Sequence, residues 1–278
     1  VVCGILDEHI PGGTTYKGVK VLGTLGNLEY ILPENKLDEI AITLSLKDYD
    51  YLEGVVDICE KSGVHTKFIP DYSSLIPSRP YTEDLMGLPV INIRYVPLTN
   101  TGNMMIKRAM DIVGSLFGII IMSPIMLLSA ILVKCSSPGP VIFKQERVGL
   151  HNKSFYMYKF RSMAMQTAAE EKKGWTVRND PRVTGIGKIL RRTSIDELPQ
   201  LFNILKGDMS LVGPRPERPQ FVEKFKEEIP RYMVKHQVRP GLTGWAQVNG
   251  LRGDSSIKKR IEYDIYYIDN WTLGFDIK

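Results

Sequence analysis

Residues 112–133 form one apolar run, with Ser123-Pro124 at its centre and basic residues on both flanks. At 22 residues it is long enough to cross a bilayer as a helix. Pro124 removes a backbone donor midway and its ring crowds the carbonyl of Ile120. A carbonyl freed inside lipid needs an internal partner. The Ser123 hydroxyl is placed to supply one, and a sharp bend is the cheapest geometry.

The flanks bear on the choice between a span and a hairpin. Lys107 and Arg108 precede the run, and Lys134, Lys144 and Arg147 follow it. A single crossing carries its basic residues mainly on one side. Here both ends read as facing the same side. A re-entrant helix–break–helix that dips into one leaflet satisfies both flanks; a proline-kinked spanning helix is the alternative.

Charge is divided unevenly along the chain. Residues 1–100 hold 8 Lys and Arg against 14 Asp and Glu, and the rest hold 28 against 17, so a net +5 hides an acidic part and a basic part. The apolar run belongs to the basic part, which suits an anionic lipid surface or phosphorylated substrates. No basic stripe interleaved with aromatics is present, so nucleic acid is not expected as a partner. Cys3, Cys59 and Cys135 are far apart, with no CxxC pair, which supports neither a disulfide framework nor a zinc site. The opening Val1-Val2-Cys3-Gly4 reads as the middle of a strand, so a longer protein is expected, with membrane segments upstream.

The acidic part alternates strand and helix. Strands are expected at 1–6, 19–23, 39–44 and 64–69, and helices at 25–32 and 49–62. That alternation predicts a parallel α/β sheet of nucleotide-binding type. No strand–GxGxxG–helix fingerprint accompanies it, so a regulatory or oligomerising domain is the plainer reading. Asp7, at a strand end, is either a ribose ligand or a solvated loop acid. Residues 69–100, with five prolines, predict an extended linker that can add an edge strand.

In the basic part, Pro138-Gly139-Pro140 forces a turn after the apolar run. A strand follows at 141–143. A second, at 155–163, places Lys159 and Arg161 on one face. The chemical centre is 191–217. Asp196-Glu197 precedes Leu198-Pro199 and a helical stretch ending at Gly207. Either Ser194 and Glu197 form a capping box, or Asp196 caps and aims its oxygens at the helix mouth, where phosphate also binds. Adjacent carboxylates repel, so one pKa rises unless cations intervene; Arg191 and Arg192 are near in sequence, and a divalent metal would complete the compensation. A carboxylate can act as a nucleophile on phosphorus, and a neighbouring one can hold Mg²⁺. Prolines on both sides restrict Arg215, and Arg239 precedes a Pro-Gly turn; each is an anion clamp or a plain rigid turn. His151 and His236 read as surface or hydrogen-bonded residues.

Lys107-Arg108, Ser123-Pro124, SPGPVIFKQERVG (137–149), KFRSM (159–163), the segment 179–217 and RPGLTGWAQVNG (239–250) occur in one order. Together they resemble the bacterial sugar transferase family, the monotopic phosphoglycosyl transferases, over about residues 103–278. The N-terminal part is similar to the Rossmann-like domain of larger, bipartite members. The resemblance implies an α/β chain in four parts: a partial Rossmann-like domain (1–80), a linker (81–102), a re-entrant membrane helix–break–helix (103–135), and a mostly helical α+β catalytic domain (136–278). It also implies transfer of a sugar 1-phosphate from a UDP-sugar to undecaprenyl phosphate with release of UMP, at the cytoplasmic face of the inner membrane. In that reading Asp196 is the nucleophile and Glu197 holds Mg²⁺. Arg215, Arg239, Arg161, Arg191, Lys159 and Arg182 bind phosphates or substrate. Lys107, Arg108, Ser123 and Pro124 anchor the membrane segment. A homodimer is implied as well. Galactose and glucose 1-phosphates are the leading donors, with N-acetylated sugars behind them. A metal-dependent phosphohydrolase, a glycosyltransferase that releases UDP and a non-enzymatic scaffold are the rival functions.

Overall fold

The computed structural model describes residues 2–34, 37–71, 80–164, 182–252 and 255–278. Two compact units partition the chain, Val1–Tyr95 and Val96–Lys278.

The first unit contains β1 (Ile5–Leu6), β2 (Thr15–Tyr16), β3 (Val19–Gly23), α1 (Leu28–Glu34), β4 (Glu39–Ile42), α2 (Leu52–Ser62) and β5 (His65–Phe68). β1 runs parallel to β3, and β4 parallel to β5, with α2 as the crossover between the latter two. Leu28, Leu32, Ile42, Val55 and Cys59 form the core where α1 and α2 meet the strands. Gly63, at φ 70°, ends α2 in the left-handed conformation a glycine adopts without strain. Among the described residues the strands form separate small sheets, not one continuous parallel sheet, and β2 takes one edge of β3 in an antiparallel pair.

β6 (Tyr81–Leu85) and β7 (Leu88–Asn92) pair as an antiparallel hairpin across Met86-Gly87, both with positive φ. These residues lie in the stretch the sequence assigns to linker. The hairpin is hard to see there because its turn lacks the usual Asn-Gly or Asp-Gly signal and Pro89 sits within β7. Residues 72–79 of the expected linker region lie outside the described residues.

The second unit opens with α3 (Thr101–Ser136), a helix of 36 residues. The Asn100 carboxamide caps its start by accepting from the Gly102 and Asn103 amides. Among the described residues it is the one helix long and apolar enough to cross a membrane. The helix runs on through Ser123-Pro124 without the interruption expected there. The Ser123 hydroxyl donates to the Ile120 carbonyl at 2.8 Å, giving a partner to the carbonyl that Pro124 leaves unpaired.

Then follow β8 (Ile142–Val148), β9 (Ser154–Phe160), α4 (Gly185–Arg192), a 3₁₀ turn (Ile195–Glu197), α5 (Gln200–Lys206), β10 (Ser210–Val212), α6 (Pro219–Glu228), β11 (Gly241–Thr243), α7 (Trp245–Val248), α8 (Ile257–Asp269) and α9 (Leu273–Ile277). β8 and β9 form an antiparallel hairpin with Phe143 opposite Lys159. β10 and β11 are a short parallel pair. Met157, Leu201, Ile204 and Met209 join β9 to α5, and Ile119 of α3 packs on them. Val133, Phe160 and Leu190 tie the far end of α3 to β9 and α4. One face of α3 therefore lies on the folded unit along most of its length. Its other face leaves Val113, Phe117, Ile120, Leu127 and Ile131 exposed.

Both ends of α3 are fastened to that unit by polar contacts. Lys107 is buried; it donates to Asp276 at 2.6 Å and to the Val212 carbonyl at 3.0 Å. Arg108 donates to the Ile204 and Leu205 carbonyls at the C-terminus of α5. Lys107 and Arg108, which the resemblance gives as anchors of the membrane segment, thus fasten α3 to its own unit. Buried carboxylate and carbonyl groups need donors more than exposed headgroups do. Arg161 does the same at the other end, donating to the Val133, Ser137 and Pro138 carbonyls that terminate α3.

Candidate active site

The site is built where β9, the 3₁₀ turn and the β10–α6 connection meet. Asn203 of α5 is fully buried and sets the alignment. Its Oδ1 accepts from the Tyr158 amide at 2.9 Å, and its Nδ2 donates to the Tyr156 carbonyl at 2.8 Å. Those two bonds pin α5 to the free edge of β9, so Lys159 comes opposite the start of the α5 segment.

Neither capping frame read from sequence occurs. Ser194 lies in the left-handed region at φ 57° and its side chain makes no cap bond. An N-cap needs extended backbone, which a residue in that region lacks. The chain instead turns tightly: the Glu197 amide donates to the Ser194 carbonyl, and the Leu198 amide to the Ile195 carbonyl. Pro199 then occupies the cap position of α5, where no donor is required. This turn leaves Asp196 buried and Glu197 partly buried, side by side.

Lys159 Nζ donates to Glu197 Oε1 at 2.6 Å, and Arg215 Nη2 donates to the same oxygen at 3.2 Å. The two carboxyls are driven apart electrostatically. Burial, and after it the adjacent Glu197 charge, raises the Asp196 pKa above the usual range, with Lys159 and Arg191 opposing. Burial acts the same way on Glu197, but Lys159 and Arg215 together outweigh it and hold that carboxyl below the usual range. Burial lowers the Lys159 pKa, although Glu197 pulls the other way. A pair whose environments separate their proton affinities can divide two chemical roles.

Arg215 owes its place to two close backbone approaches. The Gly213 amide donates to the Thr243 carbonyl and the Gly241 amide to the Pro214 carbonyl. A Cβ at Gly213 would come 2.5 Å from the Arg239 carbonyl oxygen, and one at Gly241 would come 2.1 Å from the Gly213 nitrogen. Only glycine permits this packing, which brings the GPRP and RPG segments together.

The other sequence candidates divide. Arg191 is exposed at the end of α4, near enough to favour the Asp196 charge. Arg239 Nε donates to the Gly207 carbonyl, at the opposite end of α5 from Glu197. Seven helical residues separate those ends, about 10 Å. Arg161 is buried under the end of α3 and is spent on carbonyls. Arg182 adjoins the Met163–Val183 bridge, where its carbonyl accepts from the Ala164 amide. Sequence reasoning missed Asn203, whose pairing partner lies 45 residues away. It also treated Arg147 only as a flanking charge and gave Glu217 no role. Arg147 donates to the Pro216 carbonyl at 2.9 Å, one residue beyond Arg215.

Among the described residues no group of three His, Cys, Asp or Glu side chains could cage a metal. Magnesium does not require one, since it takes one or two carboxylates and fills its remaining positions with water and phosphate oxygens. Both cation contacts on Glu197 fall on Oε1. Glu197 Oε2 is therefore the oxygen that would hold such an ion.

Residues 102–278 match the model of the family described as bacterial sugar transferase. The chain is 38% identical to the UDP-glucose:undecaprenyl-phosphate glucose-1-phosphate transferase of Escherichia coli K12, over all of this chain and 60% of that protein. It is also 38% identical to the protein of the same name from Xanthomonas campestris pv. campestris, over 94% of this chain and 55% of that one. A UDP-N-acetylgalactosamine-undecaprenyl-phosphate N-acetylgalactosaminephosphotransferase of Aeromonas hydrophila is 51% identical over 62% of this chain and 41% of its own length. The chain thus spans little more than half the length of the curated relatives it matches along its whole extent.

Proposed function

Because the chain belongs to the bacterial sugar transferase family, we propose that it moves a sugar 1-phosphate from a UDP-sugar to undecaprenyl phosphate and releases UMP. The observation that carries this reading is the Asp196-Glu197 pair, compensated by Lys159 and Arg215, in the same unit as an apolar helix with one face uncovered.

Asp196 is the nucleophile in this proposal. Its buried carboxylate, with raised basicity, attacks the phosphorus that carries the sugar. A bond forms from its Oδ to that phosphorus as the bond to the bridging oxygen breaks, and UMP leaves with the electron pair. An oxygen of the lipid phosphate then attacks the same phosphorus. The Asp196 carboxylate departs, and a polyprenyl diphosphate sugar results. Glu197 stays ionised beside Lys159 and Arg215. Arg215, with Arg191 nearby, meets phosphate charge. A Mg²⁺ held by Glu197, when bound, neutralises diphosphate charge.

The points at which α3 is fastened support one membrane arrangement. Lys107 near its start and Val133 near its end both contact the one folded unit. A fully spanning helix would carry those points to opposite sides of the bilayer. A monotopic, re-entrant placement at the cytoplasmic face keeps both on one side. The exposed apolar face enters the leaflet, and the dyad lies within reach of a lipid phosphate at headgroup level.

The test is incubation of the full chain in lipid nanodiscs with undecaprenyl phosphate, Mg²⁺ and a panel of UDP-sugars. Glucose, galactose and N-acetylated donors are compared. UMP together with a lipid diphosphate sugar is the expected product. UDP would mean glycosyl transfer, free sugar phosphate would mean hydrolysis, and either rejects the proposal.

A further inference from the structure

Beneath Arg215 lies a buried ionic cluster that the transfer chemistry does not use. Glu217 follows Arg215-Pro216 and is itself buried. Arg260 Nη1 of α8 lies 3.2 Å from Glu217 Oε1, and Arg147 Nη1 of β8 lies 3.7 Å from Glu217 Oε2. The same Arg147 nitrogen donates to the Pro216 carbonyl at 2.9 Å, while Nη2 donates to Gln145 Oε1 at 2.6 Å. The Val148 amide donates to the Glu217 carbonyl at 3.0 Å. All three charged side chains are at least 87% buried.

We infer that Arg147, Glu217 and Arg260 are positioning residues whose joint task is to fix the backbone of Arg215, and through it the guanidinium that meets the donor phosphate. This inference rests on the transfer reading above for the identity of that phosphate.

Gly213 and Pro214 are held on the upstream side by Thr243 and Gly241. Pro216 and Glu217 are held on the downstream side by Arg147, Arg260 and Val148. Prolines at 214 and 216 lock φ at both neighbours of Arg215. With both ends fastened and little freedom between them, the Cα of Arg215 has one place to be. Its side chain from there reaches Glu197 at 3.2 Å.

Packing alone would not call for charges here, since an apolar core of equal volume is commonly at least as stable as a buried ion cluster. What the charges add is directional restraint on one carbonyl and one carboxylate. Burial pushes the Arg147 pKa down to about 10, and Glu217 opposes that shift; the charges of Arg215, Arg218 and Glu197 also act on it. Arg147 is therefore within electrostatic reach of both the clamp and the dyad. A lysine is a poor replacement, because Arg147 divides its contacts between two fixed nitrogens, Nη1 toward Pro216 and Glu217 and Nη2 toward Gln145, where an ammonium offers one point charge on a flexible stem.

The test is a double-mutant cycle on the full chain in nanodiscs, R147K with R215A, read as kcat/KM for UMP release. It is paired with amide hydrogen exchange of the segment 211–218. R147K alone is expected to lower kcat/KM at least tenfold and to speed exchange in 211–218, while the α5 peptide keeps its protection. In the R215A background, R147K is expected to cost less than twofold more. Independent, multiplicative losses, or unchanged exchange at 211–218, would overturn the assignment. E217Q is the third arm and is expected to speed exchange in 211–218; unchanged exchange there would also overturn the assignment. Wild-type protein that releases no UMP would sink the transfer reading instead, and the exchange measurement would still decide the positioning claim.

Discussion

Lys107→Met separates two accounts of the same residue. As a headgroup anchor, Lys107 would contribute to binding anionic membranes and little to folding. In the structure it is buried, 2.6 Å from Asp276 and 3.0 Å from the Val212 carbonyl. Removing one partner of such a buried pair costs about 3–5 kcal/mol. The lower end applies, because Asp276 keeps hydrogen bonds from Tyr267 Oη and Trp271 Nε1, and the Val212 carbonyl keeps the one from Tyr267. Unfolding a unit the size of residues 96–278 carries an entropy of roughly 0.4 kcal/mol per kelvin. A loss of about 3 kcal/mol then lowers Tm by roughly 8 °C. The assay is thermal unfolding in detergent and in nanodiscs, with vesicle flotation alongside. Lys134→Met, at an exposed position on the same helix, is the control and should stay within about 0.5 kcal/mol of wild type. A Tm change under about 2 °C, with weakened binding to anionic vesicles in its place, would refute the internal role.

Asp196→Asn should abolish UMP release, and mass spectrometry of wild-type protein quenched in turnover should find the phosphosugar on the peptide containing residue 196; near-native turnover by the variant would reject covalent catalysis there. Lys159→Met should lower kcat/KM on the order of 100-fold, the equivalent of about 3 kcal/mol. Because Lys159 and Arg215 hold the Glu197 pKa below its unfolded value, Glu197 stabilises the fold above that value, and the contribution is lost as pH falls through the folded pKa. The variant raises the folded pKa, so the acid limb of the activity profile and the onset of acid destabilisation should both move to higher pH; an unmoved limb would count against the pairing. Pro124→Ala restores a backbone donor to the Ile120 carbonyl and should shift α3 toward a spanning disposition, read by cysteine labelling from both sides of the membrane; unchanged topology would exclude Pro124 as the cause of re-entry.

Local chemistry made several features legible in the chain itself. An apolar run of 22 residues with a central Ser-Pro reads as one long helix of membrane-crossing length and hydropathy, and the structure has it within α3. The Ser123 hydroxyl is found on the Ile120 carbonyl because both groups lie within one helical turn. Asp196-Glu197 stands out as a carboxylate pair because the residues are neighbours in sequence. The α/β alternation of residues 1–69 was likewise readable from short-range patterning.

Partner choice among the charges was not readable. Arg108, Arg161, Arg215 and Arg239 look alike in the sequence, and each could have met a phosphate. Three of them bind backbone carbonyls at helix ends, and one meets Glu197. Which guanidinium faces which oxygen depends on pairings 18 to 97 residues apart. Packing of β9 against α5, with Asn203 as the pin, fixes them. Sequence specifies the kinds of groups a site can use, because residue type sets charge and hydrogen-bonding capacity. The fold alone decides which of them stay available to a substrate, because buried carbonyls and carboxylates claim nearby cations first.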